Sequence, residues 1–345
     1  MSLRPRRYRL TANLFAIPFG VGGLAQCWTI AAQRTSVPSW PGDVLWLAAT
    51  ALWLSVLIGY SLQLGNGRTL TGELADPTFG PFVALAAIIP MLLSGALARH
   101  ARDAGHVVFV AALIATLLAG GWLSGQWILS DTTLARWHPG YFIPTVAGGL
   151  IAAATSANLD HRALAQFMFG YGAICWQVLG SIMLARLFTQ PALPIALTST
   201  IAIEVAPPAL AGLAWFNING GRADQVAFGI AGYGLLMILV QLRLIPLFRT
   251  VPFGPGWWAF TFSYAAAAAY LIRWLAVERV TGRDEVTWLL LVVVTLGYSI
   301  VVLRTVRAIA AGRFFPLMSA PARDPRASTD DAAPRDRPRS ASFDR

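Results

Sequence analysis

The sequence predicts an all-α integral membrane protein: ten transmembrane helices arranged as five helical hairpins, with odd helices inside and even helices outside. Three observations carry the class. The 345 residues are 56% hydrophobic and only 12% charged, against roughly 25% charged in a soluble domain. Apolar runs of the ~20 residues needed to cross a bilayer's hydrocarbon follow one another along most of the chain. The polar punctuation between them is too short for a soluble domain: Asn66-Gly67-Arg68, Arg99 to Asp103, Asn158 to Arg162, Asn219 to Arg222 and Gly282 to Glu285. Helices joined so tightly pack as antiparallel neighbours. A β-barrel would instead show alternating segments of about 10 residues.

In chain order the expected spans are 12–33, 43–64, 79–98, 105–128, 140–157, 163–186, 195–216, 224–247, 256–277 and 286–309. The basic start, Arg4-Pro5-Arg6-Arg7-Tyr8-Arg9, looks like the n-region of a signal peptide. The apolar stretch behind it is too long for an h-region and lacks a small-x-small cleavage site, so it reads as a retained span. This divides the chain into a basic cytoplasmic N-terminus (1–11), a membrane domain (12–318) and a tail (319–345). The tail is rich in Ala, Pro, Arg, Asp and Ser and has almost no large apolar side chain. It cannot bury enough surface to offset ordering and is expected to be disordered in the cytoplasm.

Charge gives the orientation. All 26 basic side chains are Arg, and the net charge is +10. Arg4, Arg6, Arg7 and Arg9 flank the first span, and Arg304, Arg307 and Arg313 flank the last, which places both termini in the cytoplasm. Arg99, Arg102, Arg279 and Arg283 then lie outside, against the rule, so the termini carry the assignment. The basic flanks suit an anionic lipid surface. No basic-aromatic patch lies outside the spans, so nucleic acid is not an expected partner. Cys27 and Cys175 fall within spans and read as small packing residues. His100, His106, His138 and His161 show no metal-ligand spacing, and the sequence has no nucleophile-base set, P-loop or dinucleotide fingerprint. Neither an enzyme nor a cofactor is implied.

Proline placement is the informative pattern. Pro18, Pro90, Pro144 and Pro207-Pro208 lie inside odd spans, and no even span has a proline in its middle. Each removes a helical hydrogen bond and clashes with the carbonyl four residues back. In lipid the freed carbonyl must find a partner in protein or water. The odd spans are also rich in small residues: Gly20, Gly22, Gly23, Gly95, Gly148, Gly149, Gly212 and the run Ala265 to Ala269. Small residues let helices approach closely. The pattern fits odd helices surrounding a central pore, and it fits equally a tight kinked bundle without one.

Several stretches then show a resemblance: Phe15-Ala-Ile-Pro-Phe-Gly20, Ala87-Ile-Ile-Pro-Met91, His138-Pro-Gly-Tyr-Phe-Ile-Pro-Thr-Val-Ala147, Val205-Ala-Pro207, Trp257-Trp-Ala-Phe-Thr-Phe262 and Arg313-Phe314-Phe315. In this order, over about residues 10–318, the chain resembles the tellurite-resistance/C4-dicarboxylate transporter family. That family includes the bacterial TehA proteins and the plant slow-type anion channels. The resemblance implies five hairpins, an inner ring of odd helices around a pore, and a homotrimer. It also implies that Phe262, on the ninth helix, blocks the pore at rest. Phe15, Pro18, Phe19, Pro90, Phe142, Pro144, Pro207 and Phe260 become candidate pore-lining or kink residues.

Glu204 departs from the TehA-type relatives that the chain resembles, which have an apolar residue at that point. A carboxyl at mid-membrane depth is costly and marks a functional site by default. Proton coupling, a repulsive gate and a structural hydrogen bond are all open to it. Arg243 and Arg273, near span ends, read as snorkelling to the interface, with a substrate role as the alternative. Gln177 reads as a contact between helices. The expected function is transport of a small anion, a C4-dicarboxylate such as malate or a tellurite- or sulfite-like oxyanion, across a bacterial inner membrane. A passive gated anion channel and a non-transporting scaffold are the alternatives.

Overall fold

The computed structural model describes residues 9–64 and 69–315. Arg4, Arg6 and Arg7, the Asn66-Gly67-Arg68 loop and the expected tail 319–345 lie outside the described residues. Residues Leu10–Phe315 form one helical unit. Its described residues contain ten helical segments long and apolar enough to cross a membrane: Ala12–Arg34, Trp40–Leu64, Gly80–Leu97, Arg102–Leu129, Pro139–Asn158, Arg162–Thr189, Ile195–Ile218, Gln225–Phe248, Pro255–Val277 and Arg283–Ala310, here spans 1 to 10.

Odd and even spans differ in both burial and backbone. In the most apolar window of each odd span, 56% to 89% of residues are buried, against 17% to 33% in the even spans. Every even span is one continuous α-helix. Every odd span is irregular in its first half. Span 1 opens with the 3-10 turn Ala12–Phe15, and span 3 breaks at Ala84. Span 5 passes through a 3-10 turn (Pro139–Phe142) and a π turn (Ile143–Ala147) that holds Pro144. Span 7 is 3-10 over Ile195–Val205 and turns α-helical at Ala206, with Pro207 and Pro208 in the first turn. Span 9 starts as 3-10 at Pro255–Trp257. Non-α backbone at membrane depth survives only where protein or water can satisfy it. The irregular segments fall on the buried spans, where that condition can be met.

Three even spans begin well before the hydropathy suggests, at Trp40, Arg102 and Arg283 rather than 43, 105 and 286. Asp43, Asp103, Asp284 and Glu285 sit in those first turns. There, acids complement the helix dipole and let the helix run past the apolar stretch. Pro246 lies inside span 8, but only in its last turn.

Each odd span packs on the even span that follows it, and the odd spans touch one another in the closed order 1–3–5–7–9–1. Glycines set the closest approaches. A Cβ on Gly20 would run into Thr261 of span 9, and one on Gly212 of span 7 into the Tyr270 ring. Gly149 and Gly172 bring the backbones of spans 5 and 6 together: a Cβ on Gly149 would sit 2.7 Å from the Gly172 Cα. Gln177 is exposed on span 6, and its side chain has no hydrogen bond among the described residues.

Candidate functional site

A cavity of about 330 Å³ lies where the odd spans end, and all five contribute to its wall: Ile30, Leu92, Ile151, Leu210 and Arg273 are one residue from each. Apolar side chains (Leu92, Ile151, Leu210, Leu213) mix with amides and hydroxyls (Gln26, Thr29, Thr155, Asn217). Four arginines reach it, Arg34, Arg99, Arg102 and Arg273, against one acid, Asp160.

Helical geometry locates the phenylalanines relative to this cavity. Gln26 lines it, and Phe19 is seven residues earlier on span 1. Seven residues turn the helix through about 700°, so Phe19 lies on the same face, roughly 10 Å deeper. Arg273 lines the cavity from span 9, and Phe262 is eleven residues earlier, again on the same face and about 16 Å deeper. The two rings meet there, stacked with centroids 3.6 Å apart and planes 12° apart. Phe262 is 6% exposed and lies over Gly23, whose missing Cβ would come within 2.8 Å of the ring. A bare glycine is what allows the ring to lie against span 1.

The other candidates divide. Phe142 and Pro144 are buried in the irregular half of span 5, and Pro18 and Pro207 are buried in spans 1 and 7. Pro90 lies inside the helical part of span 3 and is half-buried. Phe15 is fully buried, edge-on against Tyr60 of span 2. Phe260 is turned away from Phe262, because two residues rotate a helix by about 200°. It packs edge-on against Phe248 of span 8 at 5.0 Å, in a small aromatic cluster with Trp257 and Tyr264.

Glu204 is 3% exposed, and neither carboxyl oxygen has a hydrogen-bond partner among the described residues. It sits on the 3-10 half of span 7, within electrostatic reach of Tyr233 on span 8. Nearby, the buried Gln241 of span 8 donates from Nε2 to the Ile201 carbonyl at 3.1 Å and accepts from the Tyr264 hydroxyl at 3.3 Å. Span 8 thus satisfies backbone that the 3-10 geometry of span 7 exposes.

Ahead of span 5, His138 is fully buried, and burial pushes its imidazole down to about 4. Its Nδ1 accepts from the Gly140 N–H, so it is a neutral acceptor that shapes the start of the span. Between spans 7 and 8, the Asp224 carboxylate accepts from the Ala227 N–H, the Trp215 indole and the Asn219 amide. These bonds hold its pKa below the usual carboxylate value.

Arg273, near the end of span 9, lines the cavity shared by the odd spans. Its place on the face of Phe262 is legible in their eleven-residue spacing.

Ten spans, five of them irregular and buried around a shared cavity, define a polytopic helical membrane protein. The chain belongs to the voltage-dependent anion channel (SLAC1) family, which it matches over residues 9–306. It is 28% identical over 268 residues to the tellurite resistance protein TehA homolog of Haemophilus influenzae, covering 76% of this chain and 80% of the relative. It is 26% identical over 332 residues to the S-type anion channel SLAH3 of Arabidopsis thaliana, and 23% identical over 296 to the guard cell S-type anion channel SLAC1 of the same plant. Those matches cover 90% and 81% of this chain but only 50% and 51% of the plant proteins, so the chain spans about half of their length.

Proposed function

We propose that this protein passes small anions across a bacterial inner membrane along a central route between its odd spans, closed at rest by Phe262 against Phe19. The observation that carries the reading is the stacked pair lying in line with, and below, a cavity to which every odd span contributes. An apolar constriction made of rings excludes water and ions together. Excess arginine at the cavity mouth raises the local anion concentration. C4-dicarboxylates such as malate and tellurite- or sulfite-like oxyanions are the proposed cargo. The name of the Haemophilus relative supports the oxyanion, and those of the plant relatives support anions in general. The exposed apolar faces of the even spans suit lipid and the surfaces of a homotrimer. Flux of a panel of anions into proteoliposomes tests the reading, and its failure for every anion tried would falsify it.

With both termini cytoplasmic, the cavity opens on the outer side. Reporter fusions at the two ends should both report the cytoplasm. An external signal from either one overturns this topology.

A second reading, a proton-coupled carrier, is favoured by Glu204, a buried carboxyl without a hydrogen-bond partner. Glu204→Gln fixes a neutral side chain of the same shape. Under coupling, the variant loses pH-driven uptake while keeping exchange or leak. Under simple anion repulsion in a channel, it passes more anion than wild type at alkaline pH. Identical flux from wild type and variant between about pH 5.5 and 8.5, a range that brackets a buried carboxyl, would make Glu204 a structural residue only.

A further inference from the structure

The four arginines at the cavity are not equivalent. Arg99 is paired with Asp43 at 3.4 Å, and Arg102 with Asp160 at 2.9 Å. Arg34 and Arg273 have no acidic partner among the described residues. Arg34 closes the last turn of span 1, and Arg273 lies in the last turns of span 9. These two spans make an extended contact with each other. Both residues line the same cavity. The Arg273 Nε is buried and unpartnered.

Two unpaired cations facing one space raise each other's electrostatic cost, and a buried donor left unmade costs more. Span 1 packs closely on span 9 nonetheless. The turn after span 7 also makes room for the arrangement. Gly221 has φ +75°, and a Cβ there would sit 3.3 Å from Arg273 Nη2. That turn is held by Asn219, whose side-chain oxygen accepts from the Gly221 and Arg222 N–H groups at 3.0 and 3.1 Å. Space for the guanidinium is therefore built into the fold on the side away from span 1.

We propose that Arg34 and Arg273 form an anion-binding station at the cavity mouth that favours a small dianion over a single negative charge. A monoanion neutralises one guanidinium and leaves the other unpaired, whereas a dianion answers both. Guanidinium forks match carboxylate and oxyanion geometry through paired N–H donors. The cavity, at about 330 Å³, falls at the small end of ligand sites and holds a four-carbon dicarboxylate or a tetrahedral oxyanion together with water. This inference rests on the cavity being the entrance for anions.

The test uses the full chain in two assays, with succinate, sulfate and nitrate as probes. In detergent, millimolar succinate or sulfate should raise the melting temperature of wild type, and nitrate should raise it less. Arg273→Gln and, separately, Arg34→Gln should abolish the dianion-specific part. Arg34 is exposed at a helix end, so its variant guards against misfolding of the other. In proteoliposomes, in a Phe262→Ala background, each substitution should lower dianion uptake at low concentration about tenfold, the loss of one charge-assisted contact. Nitrate uptake should fall no more than about threefold, the part owed to general attraction. Arg273→Lys keeps the charge, loses the fork, and should recover only part of the uptake. Loss for succinate alone would assign the station to dicarboxylates, and loss for both dianions to the shared chemistry. Equal losses for all three anions, or no loss, overturn the proposal. If no anion moves even with Phe262→Ala, the pathway reading fails instead, and the melting shifts still decide whether the station exists.

Discussion

Phe262→Ala should raise anion conductance at least about tenfold, the largest functional effect expected of any single substitution here. The ring is held in place from two sides. It stacks on Phe19 at 3.6 Å and lies over the bare backbone of Gly23. Replacing it by a methyl group removes half of the constriction. It also leaves an apolar space that the cavity above can flood, since Phe262 and Arg273 share one face of span 9. Folding should persist, because span 9 keeps its packing on span 1 through Thr261 and Trp258, both close to Gly20. Phe19→Ala should open the route by a smaller factor, because Phe262 would still cover Gly23. Planar-bilayer recording of the two variants and their combination checks the scheme. A folded Phe262→Ala protein with wild-type conductance would remove Phe262 from the pathway. Phe260→Ala is the control: it faces Phe248 of span 8 and should leave conductance near wild type.

The largest structural effect should come from Gly149. A Cβ there would lie 2.7 Å from the Gly172 Cα and 2.9 Å from its nitrogen, backbone atoms that no rotamer change can move. The reciprocal contact is as tight, with a Gly172 Cβ at 2.8 Å from the Leu150 nitrogen. Gly149→Ala must therefore push spans 5 and 6 apart. The cost should be about 1–3 kcal/mol or more, the range for overpacked cores, read as a fall of several degrees in melting temperature and a lower folded yield. Gly170 lies on the same span 6, and a Cβ there would meet nothing within 4 Å. Gly170→Ala should be neutral or slightly stabilising, because alanine is the better helix former. If the two substitutions behave alike, the Gly149–Gly172 crossing is not what sets the distance between these spans.

The sequence by itself determined the class, the number of spans and their division into two kinds. Apolar length fixes spans, because the bilayer sets a minimum length for any crossing helix. Mid-span proline marks four of the five odd spans and none of the even ones, because a broken backbone in lipid needs buried surroundings. The structure carries the same division, in irregular odd spans and continuous even ones. Only the tertiary structure decided which side chains share a space. Phe260 and Phe262 belong to one motif, yet a 200° turn of the helix sends them to different neighbours. Arg273 looks like a span-end arginine in the sequence; what distinguishes it is an unpaired Arg34 on span 1 and a left-handed glycine in the turn after span 7. Glu204 was legible as a lone acid at depth, but its lack of any hydrogen-bond partner depends on how spans 7 and 8 pack. Hydropathy and helix-breaking chemistry act locally and are written residue by residue. Pairing, burial and the orientation of a ring depend on residues far apart in the chain, which the sequence orders but does not place.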